Sequence, residues 1–309
     1  MILTKVMPHK WDLIKELNQA KKVAEFAIEN RDKLSTRHVR EIGLTSTIAN
    51  QILRKYGRNK KCKKVENVNL IIPGVNLKAN KGKSLLRIVP LKLEISLQYF
   101  PEFTKINQVE ISASKIFVSF TVTEEPIKAV TNYVGVDLNA TGHILVAANT
   151  RNGLVLKMGK LASHFRRKYR GRKRCGNFMM DLDHKLSRAI VNYCVQHNCG
   201  IGLESLKGIR PKKNMGKKLN GILHSWSFYR LQTFIQYKAK LAGIPVVFVD
   251  PRFTSQTCSR CGEIGERNVK NFKCCCGHVD HADANAAFNI GRLAADRDAV
   301  KRCTGASPF

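Results

Sequence analysis

Carboxylates are what this chain has least of: 23 Asp plus Glu stand against 54 Lys plus Arg in 309 residues, a formal net charge of +31 at pH 7. An imbalance of that size makes a polyanion the expected partner. Also missing is any run approaching the roughly 18–20 apolar residues that a membrane span requires, which excludes a membrane-spanning helix. The opening MILTKVMPHKWDLIKEL has no basic segment followed by an apolar one, so no secretory signal is expected. No internal repeat of about 20–50 residues is visible, which excludes a solenoid or propeller. Disorder is excluded in turn by a hydrophobic content of 43%, too high for a basic tail. A soluble, cytoplasmic protein of about two domains is the expectation.

Cysteine, by contrast, is plentiful: there are 10, and Cys258, Cys261, Cys274, Cys275 and Cys276 crowd into one short segment. In a reducing compartment that pattern favours a metal over disulfides. Cys258-Ser-Arg-Cys261 is followed after twelve residues by Cys274-Cys275-Cys276, with glycine after both Cys261 and Cys276. Glycine permits the tight turn that aims backbone N–H groups at thiolates, so the spacing predicts a zinc ribbon with one structural Zn²⁺. The second half is CxC where CxxC is usual, which leaves Cys274, Cys275, Cys276 and His278 as competing ligands. Cys274 with Cys276 is preferred, since side chains two apart on an extended segment point the same way.

Along the chain, residues 9–30 predict an amphipathic helix, with Leu13, Leu17, Ala20, Ala24 and Ile28 near a 3.6 period. Ser35 can cap STRHVREI, Gly43 breaks it, and STIANQILRKY resumes. The pair reads as a helix-turn-helix or, more commonly for such a pattern, as two packed helices of a larger lobe. From 66 to 124 β-branched and aromatic residues bounded by Gly, Pro and Asn predict strands, with a small β-barrel or sandwich as the expected arrangement. Beyond Pro126 come three short strands, then helices near 161–172 and 181–198, the strand GIGLES, a helix near 225–242, the strand IPVVFVD and a last helix near 283–294. That order is an α/β layer domain.

Within this domain the scarce acids are informative. Between Glu125 and Asp181 the single carboxylate is Asp137, ending the apolar run Tyr133-Val134-Gly135-Val136. Between Asp183 and Asp250 the single one is Glu204, ending Ile201-Gly202-Leu203. Either alone could merely pair with an arginine. Asp283 adds a third, with Ala286, Ala287 and Ile290 at i+3, i+4 and i+7 on its helix face; these small residues would let the helix lie close on the sheet. Asp280 is nearby but does not head that face. Three acids so placed can hold two Mg²⁺ or Mn²⁺ ions about 3.5–4 Å apart, the arrangement for in-line phosphodiester hydrolysis.

Two basic stretches lie in the same domain. HFRRKYRGRKR contributes Arg166, Arg167, Lys168, Arg170, Arg172, Lys173 and Arg174, and KGIRPKKNMGKK, just beyond Glu204, contributes Arg210, Lys212, Lys213, Lys217 and Lys218. With no counter-acids beside them, they are expected to contact phosphates. Phe165, Tyr169 and Trp226 are candidates for base stacking, with core packing the commoner role for Trp226. Arg252, leaving the strand IPVVFVD, is a candidate to contact the scissile region.

With VGVDLN, IGLESL, DPRFTSQTCSRCG and FKCCCGHVDHADANAAFNI in that order, the chain resembles the TnpB family of transposon-encoded RNA-guided nucleases, related to miniature type V CRISPR effectors. The resemblance is dense from about 133 to 291. It implies a ribonuclease H-like (RuvC) α/β nuclease domain with a zinc-ribbon insertion, and an N-terminal β-barrel-like wedge domain carrying a helical recognition insertion. The corresponding bounds are 1–8 for the first wedge strand, 9–62 for the insertion and 63–127 for the rest of the wedge. The nuclease domain takes 128–252 and 282–309, with the ribbon at 253–281. Also implied are a guide RNA, a target double-stranded DNA bearing a short flanking motif, a nucleoid-associated location on DNA, and Asp137, Glu204 and Asp283 as catalytic metal ligands. The alternatives are a non-cleaving nucleic-acid-binding regulator, against which the intact triad counts, and a guide-free structure-selective nuclease.

Overall fold

A computed structural model describes residues 1–80, 82–98, 100–139, 142–160, 173–205 and 228–304. The chain divides into two compact units, Met1–Thr123 and Glu124–Phe309.

In the first unit β1 (Ile2–Pro8) leads to α1 (Ile14–Glu29), a 3₁₀ turn over Thr36–Ile42, and α2 (Ser46–Gly57). Helix α1 starts later than residue 9 because side chains compete locally for the backbone: His9 Nδ1 accepts the Trp11 N–H at 3.1 Å and Asp12 Oδ1 accepts that of Ile14 at 3.3 Å. Its buried stripe is Ala20, Val23, Ala24 and Ala27, rotated from the expected one so that Leu17 and Ile28 are only half-buried. The segment after Ser35 is 3₁₀ rather than α-helical. Gly43, at φ +79°, ends it after seven residues, before an α-helical ladder is established.

The strands of this unit are β2 (Leu70–Pro73), β3 (Leu77–Asn80), β4 (Leu85–Ile88), β5 (Leu93–Ser96), β6 (Lys105–Ile111) and β7 (Lys115–Thr121). They form an antiparallel sheet in the order β1-β7-β6-β2 and a second in the order β3-β4-β5. No ladder joins β1 to β2, or one sheet to the other, among the described residues.

The second unit opens with β8 (Tyr133–Leu138), β9 (Leu145–Asn149) and β10 (Val155–Met158), followed by α3 (Lys173–Gln196), β11 (Gly200–Glu204), α4 (Phe228–Leu241) and β12 (Val246–Val249). The sheet order is β10-β9-β8-β11-β12. Strands β8, β11 and β12 run parallel, and β9 is antiparallel to β8. Between β12 and the last helix lie β13 (Glu266–Asn268), β14 (Asn271–Lys273) and β15 (Val279–His281), a small antiparallel sheet of their own. Helix α5 (Ala282–Thr304) is longer than the expected 283–294. Past Gly291 the sequence has no Gly or Pro before Gly305, and RLAADRDAVKRCT is made mostly of helix formers. The helix expected near 161–172 lies outside the described residues, and α3 starts earlier than residue 181.

The period of two along the strands divides the core. Val134, Val136, Ile201 and Leu203 face one way and pack with Leu186, Ile190 and Cys194 of α3 and Leu231 and Ile235 of α4. Tyr133, Val247 and Val249 face the other way and pack on Ile290 and Ala294 of α5, while Val146 and Ala148 meet Ala284 and Ala287. Among the described residues no helix is long and apolar enough to cross a membrane.

Candidate metal centres

Asp137 and Glu204 sit on the α5 face of the sheet. Parallel pairing sets Val136 against Leu203, so one step further the two acids stand at the same ends of adjacent strands, about 4.8 Å apart by strand spacing. They share this face with Gly135 and Gly202, two positions earlier, and that is why α5 can lie so close. A Cβ on Gly135 would fall into the α5 backbone, against the Ala287 carbonyl and the Gly291 N–H, and one on Gly202 would come within 2.8 Å of Ala294 Cβ. With the helix seated there, Asp283 in its first turn is 2% exposed. Gly135→Ala is therefore expected to destabilise the protein by at least about 3 kcal/mol, since backbone rather than a flexible side chain must move. An unchanged midpoint in urea would contradict this packing.

Each acid has a specific hydrogen-bond partner. Asn139 Nδ2 donates to Asp137 Oδ2 at 2.8 Å, and Thr254 Oγ1 donates to Glu204 Oε1 at 2.6 Å. Lys270 Nζ donates to both Asp283 oxygens, at 2.8 and 2.6 Å, and to Asn139 Oδ1 at 3.0 Å. Burial raises the Asp137 carboxyl to about 7, with the neighbouring Glu204 and Asp283 adding to the effect and Asn139 and Lys270 opposing it. Glu204 is raised by burial too, against the Thr254 hydrogen bond and the Arg267 charge. Asp137 and Glu204, both resisting ionisation, stand with the buried Asp283 in a place suited to cations, and this all-oxygen donor set fits Mg²⁺ or Mn²⁺.

The raised carboxyl has a measurable consequence. Folded Asp137 keeps its proton up to about pH 7, whereas the unfolded residue loses it near 3.9. Between those values the native state binds the extra proton, so stability falls as pH rises. In metal-free protein this loss, on the order of 2–4 kcal/mol between pH 4 and 8, is expected to disappear in Asp137→Asn. Urea unfolding of both proteins across that range checks it; parallel pH profiles would remove the assignment.

In the ribbon the Sγ atoms of Cys258, Cys261, Cys274 and Cys276 all lie within 4.8 Å of one another. Cys258 to Cys276 is 3.7 Å and Cys261 to Cys274 is 3.5 Å. These separations are too long for disulfides and close to the edge, about 3.8 Å, of a tetrahedron with 2.3 Å metal–sulfur bonds. Gly262 and Gly277, both at φ +83°, turn the two knuckles. The Gly262 N–H returns to the Cys258 carbonyl and the Gly277 N–H to that of Cys274, a turn one residue shorter, which accommodates CxC. Cys275 is exposed. His278 is buried, with Nε2 3.3 Å from Ser259 Oγ, outside the four-sulfur group.

Several polar residues of the site escaped the sequence reading. Asn285 binds the first knuckle through the Ser259 N–H and the Thr257 carbonyl, and Asn289 donates to the carbonyls of Thr254 and Thr257. The signal was present as two asparagines within an alanine-rich helix. Lys270, Asn139 and Thr254 carried no such mark. Arg252 is exposed and paired with Asp250 at 2.6 Å. Of the other basic candidates, Arg166 to Arg172 and Arg210 to Lys218 lie outside the described residues, as do Phe165, Tyr169 and Trp226; of Lys173 and Arg174 the structure describes only the helical backbone.

A five-stranded mixed sheet with acids at the ends of two adjacent parallel strands, closed by an acid-bearing helix and interrupted by a four-cysteine segment, defines an α/β layer domain. The model of the Cas12f1-like TNB domain family matches residues 228–290. Over 124 residues the chain is 42% identical to the CRISPR-associated endodeoxyribonuclease Cas12f1 of Sulfoacidibacillus thermotolerans, covering 38% of this chain and 28% of that protein. Over 132 residues it is 34% identical to a TnpB-like protein of Methanocaldococcus jannaschii, covering 42% of this chain and 47% of that protein. A cryo-EM structure of a Cas12f1–sgRNA–target DNA complex aligns with 94% of this chain and 99% of that chain, at 19% identity and a TM-score of 0.44. Over these segments the chain is similar to TnpB-like proteins and to miniature type V effectors. The matched segments span less than half the length of either curated relative.

Proposed function

We propose that the chain is an RNA-guided DNA endonuclease, which hydrolyses phosphodiester bonds in DNA complementary to its guide beside a short flanking motif. The observation that carries this reading is the convergence of Asp137, Glu204 and Asp283 on one face of the sheet, where burial raises the Asp137 carboxyl and the charges of the other two add to the effect. Two Mg²⁺ or Mn²⁺ ions bound there would activate water and stabilise the departing 3′ oxygen. The chain's own residues build the place for them. Asn139 and Thr254 orient Asp137 and Glu204, Gly135 and Gly202 admit α5, and α5 delivers Asp283.

The DNA substrate accords with the relative's name, a CRISPR-associated endodeoxyribonuclease. In such a system base pairing reads the sequence and the protein supplies charge and shape; a net charge of +31 suits that division. The basic segments 164–174 and 207–218, with Arg252, are assigned to phosphate contacts. Residues 253–281 form the zinc ribbon, with Zn²⁺ on Cys258, Cys261, Cys274 and Cys276. The strands of 1–8 and 63–127 act as the wedge domain and residues 9–62 as its recognition insertion, and the protein works on DNA in the cytoplasm.

Expression together with flanking DNA, followed by sequencing of the copurified RNA, tests the proposal. A discrete RNA that directs Mg²⁺-dependent cutting of matching duplex DNA is expected. Cutting of branched DNA without RNA would replace this reading with a guide-free nuclease. Guide-dependent binding without scission at saturating Mg²⁺ would replace it with a regulator.

A further inference from the structure

Lys270 lies in the link between β13 and β14, at the tip of a ribbon hairpin, and its side chain reaches into the acid centre. Its ammonium holds both oxygens of Asp283, at 2.8 and 2.6 Å, and Asn139 Oδ1 at 3.0 Å. All three of its protons are thus engaged. Asn139 passes the contact on to Asp137, so one cation tethers two acids of the centre. The Asp283 side chain is 2% exposed and that of Lys270 29%, which makes the pair far less screened than a surface salt bridge.

We infer that Lys270 is a resident cation of the acid centre, which a divalent ion must displace from Asp283 in order to bind. The inference rests on the metal-binding reading above. A Mg²⁺ ion binds carboxylate oxygen at about 2.0–2.1 Å, and both Asp283 oxygens already carry the ammonium at 2.6–2.8 Å. Two positive charges sharing the same two oxygens repel strongly in a buried site, so occupancy is exclusive. The exchange needs no movement of the ribbon. The Lys270 carbonyl accepts the Ala282 N–H at 2.8 Å, which pins its backbone beside Asp283 and leaves side-chain rotation as the way out. Lys270 therefore sets the divalent concentration at which the centre loads.

Mn²⁺ titration of the full-length, zinc-loaded protein, followed by electron paramagnetic resonance, tests this. Lys270→Met and Lys270→Gln are expected to bind Mn²⁺ at the centre about tenfold more tightly than the parent, and Lys270→Arg about as weakly as the parent. Equal or weaker binding by both neutral variants would overturn the inference and leave Lys270 as a strut between ribbon and helix. In the unmodified protein, Mg²⁺ should raise labelling of Lys270 by an amine-reactive reagent, read by mass spectrometry; protection that does not change with Mg²⁺ would also overturn it. Asp283→Asn separates the two levels. If it binds Mn²⁺ as the parent does, the metal-centre reading fails first, whatever Lys270 does.

Discussion

Asp137→Ala is expected to lower Mg²⁺-dependent DNA cleavage by about 10³-fold or more while leaving guide-RNA binding nearly unchanged. The separation follows from where Asp137 stands. It stands one residue before the end of β8, whose residues from Tyr133 to Val136 are buried, so the substitution removes a carboxylate without touching the basic segments assigned to phosphate contacts. It also removes a group whose ionisation burial opposes, with the Glu204 and Asp283 charges adding to the effect, so folding should not suffer. Loss of cleavage with retained RNA binding, measured on the same preparation, is the expected pair of results. Full cleavage by the variant would end the proposal that this centre is catalytic, and loss of both would mean that the fold itself had failed.

Removal of the ribbon's metal is expected to be the other large effect. A structural Zn²⁺ contributes on the order of 10–16 kcal/mol of apparent binding energy in small metal-folded domains. The ribbon here has little else: its strands are three residues each, and its apolar core is Phe272 with Cys258 and Ala282. Stripping zinc with a soft-donor chelator, or Cys258→Ser, should open residues 253–281 to protease before the rest of the second unit. Cleavage should fall as well, because Thr254, which holds Glu204, is itself held by Asn289 at the ribbon's base. Metal analysis should find one zinc per chain. Much less than one, or a ribbon equally protected after chelation, would remove the four-cysteine assignment.

These two centres were legible to different degrees. The acids stood out because charge of their sign is scarce: a lone carboxylate ending an apolar run is visible in one dimension, and the period of two already places Asp137 with Gly135 and Glu204 with Gly202. The cysteines stood out by spacing, although the choice among Cys274, Cys275, Cys276 and His278 needed the shorter second turn, which groups the Cys276 sulfur with the other three and leaves His278 with Ser259. The far half of α5 was missed because RLAADRDAVKRCT is polar and mixed, with no apolar stripe for periodicity to find. The 3₁₀ turn after Ser35 was read as α-helix because capping and composition mark a helix start without stating how tightly it winds.

The linear chain alone determined the chemistry available: hard oxygen donors in one set of residues, clustered thiols in another, and a cationic surplus suited to nucleic acid. Those follow from composition and short-range spacing, which folding cannot alter. Tertiary structure decided which groups meet. That Lys270 pairs with Asp283 and reaches Asn139 beside Asp137, and that Asn285 and Asn289 fasten the ribbon's backbone to α5, are contacts between segments distant in sequence. Their partners are set by the register of β8 on β11, by the hairpin of β13 and β14, and by two glycines that let a helix lie against a sheet. Local propensity has no knowledge of such distances, because they arise only when the core closes.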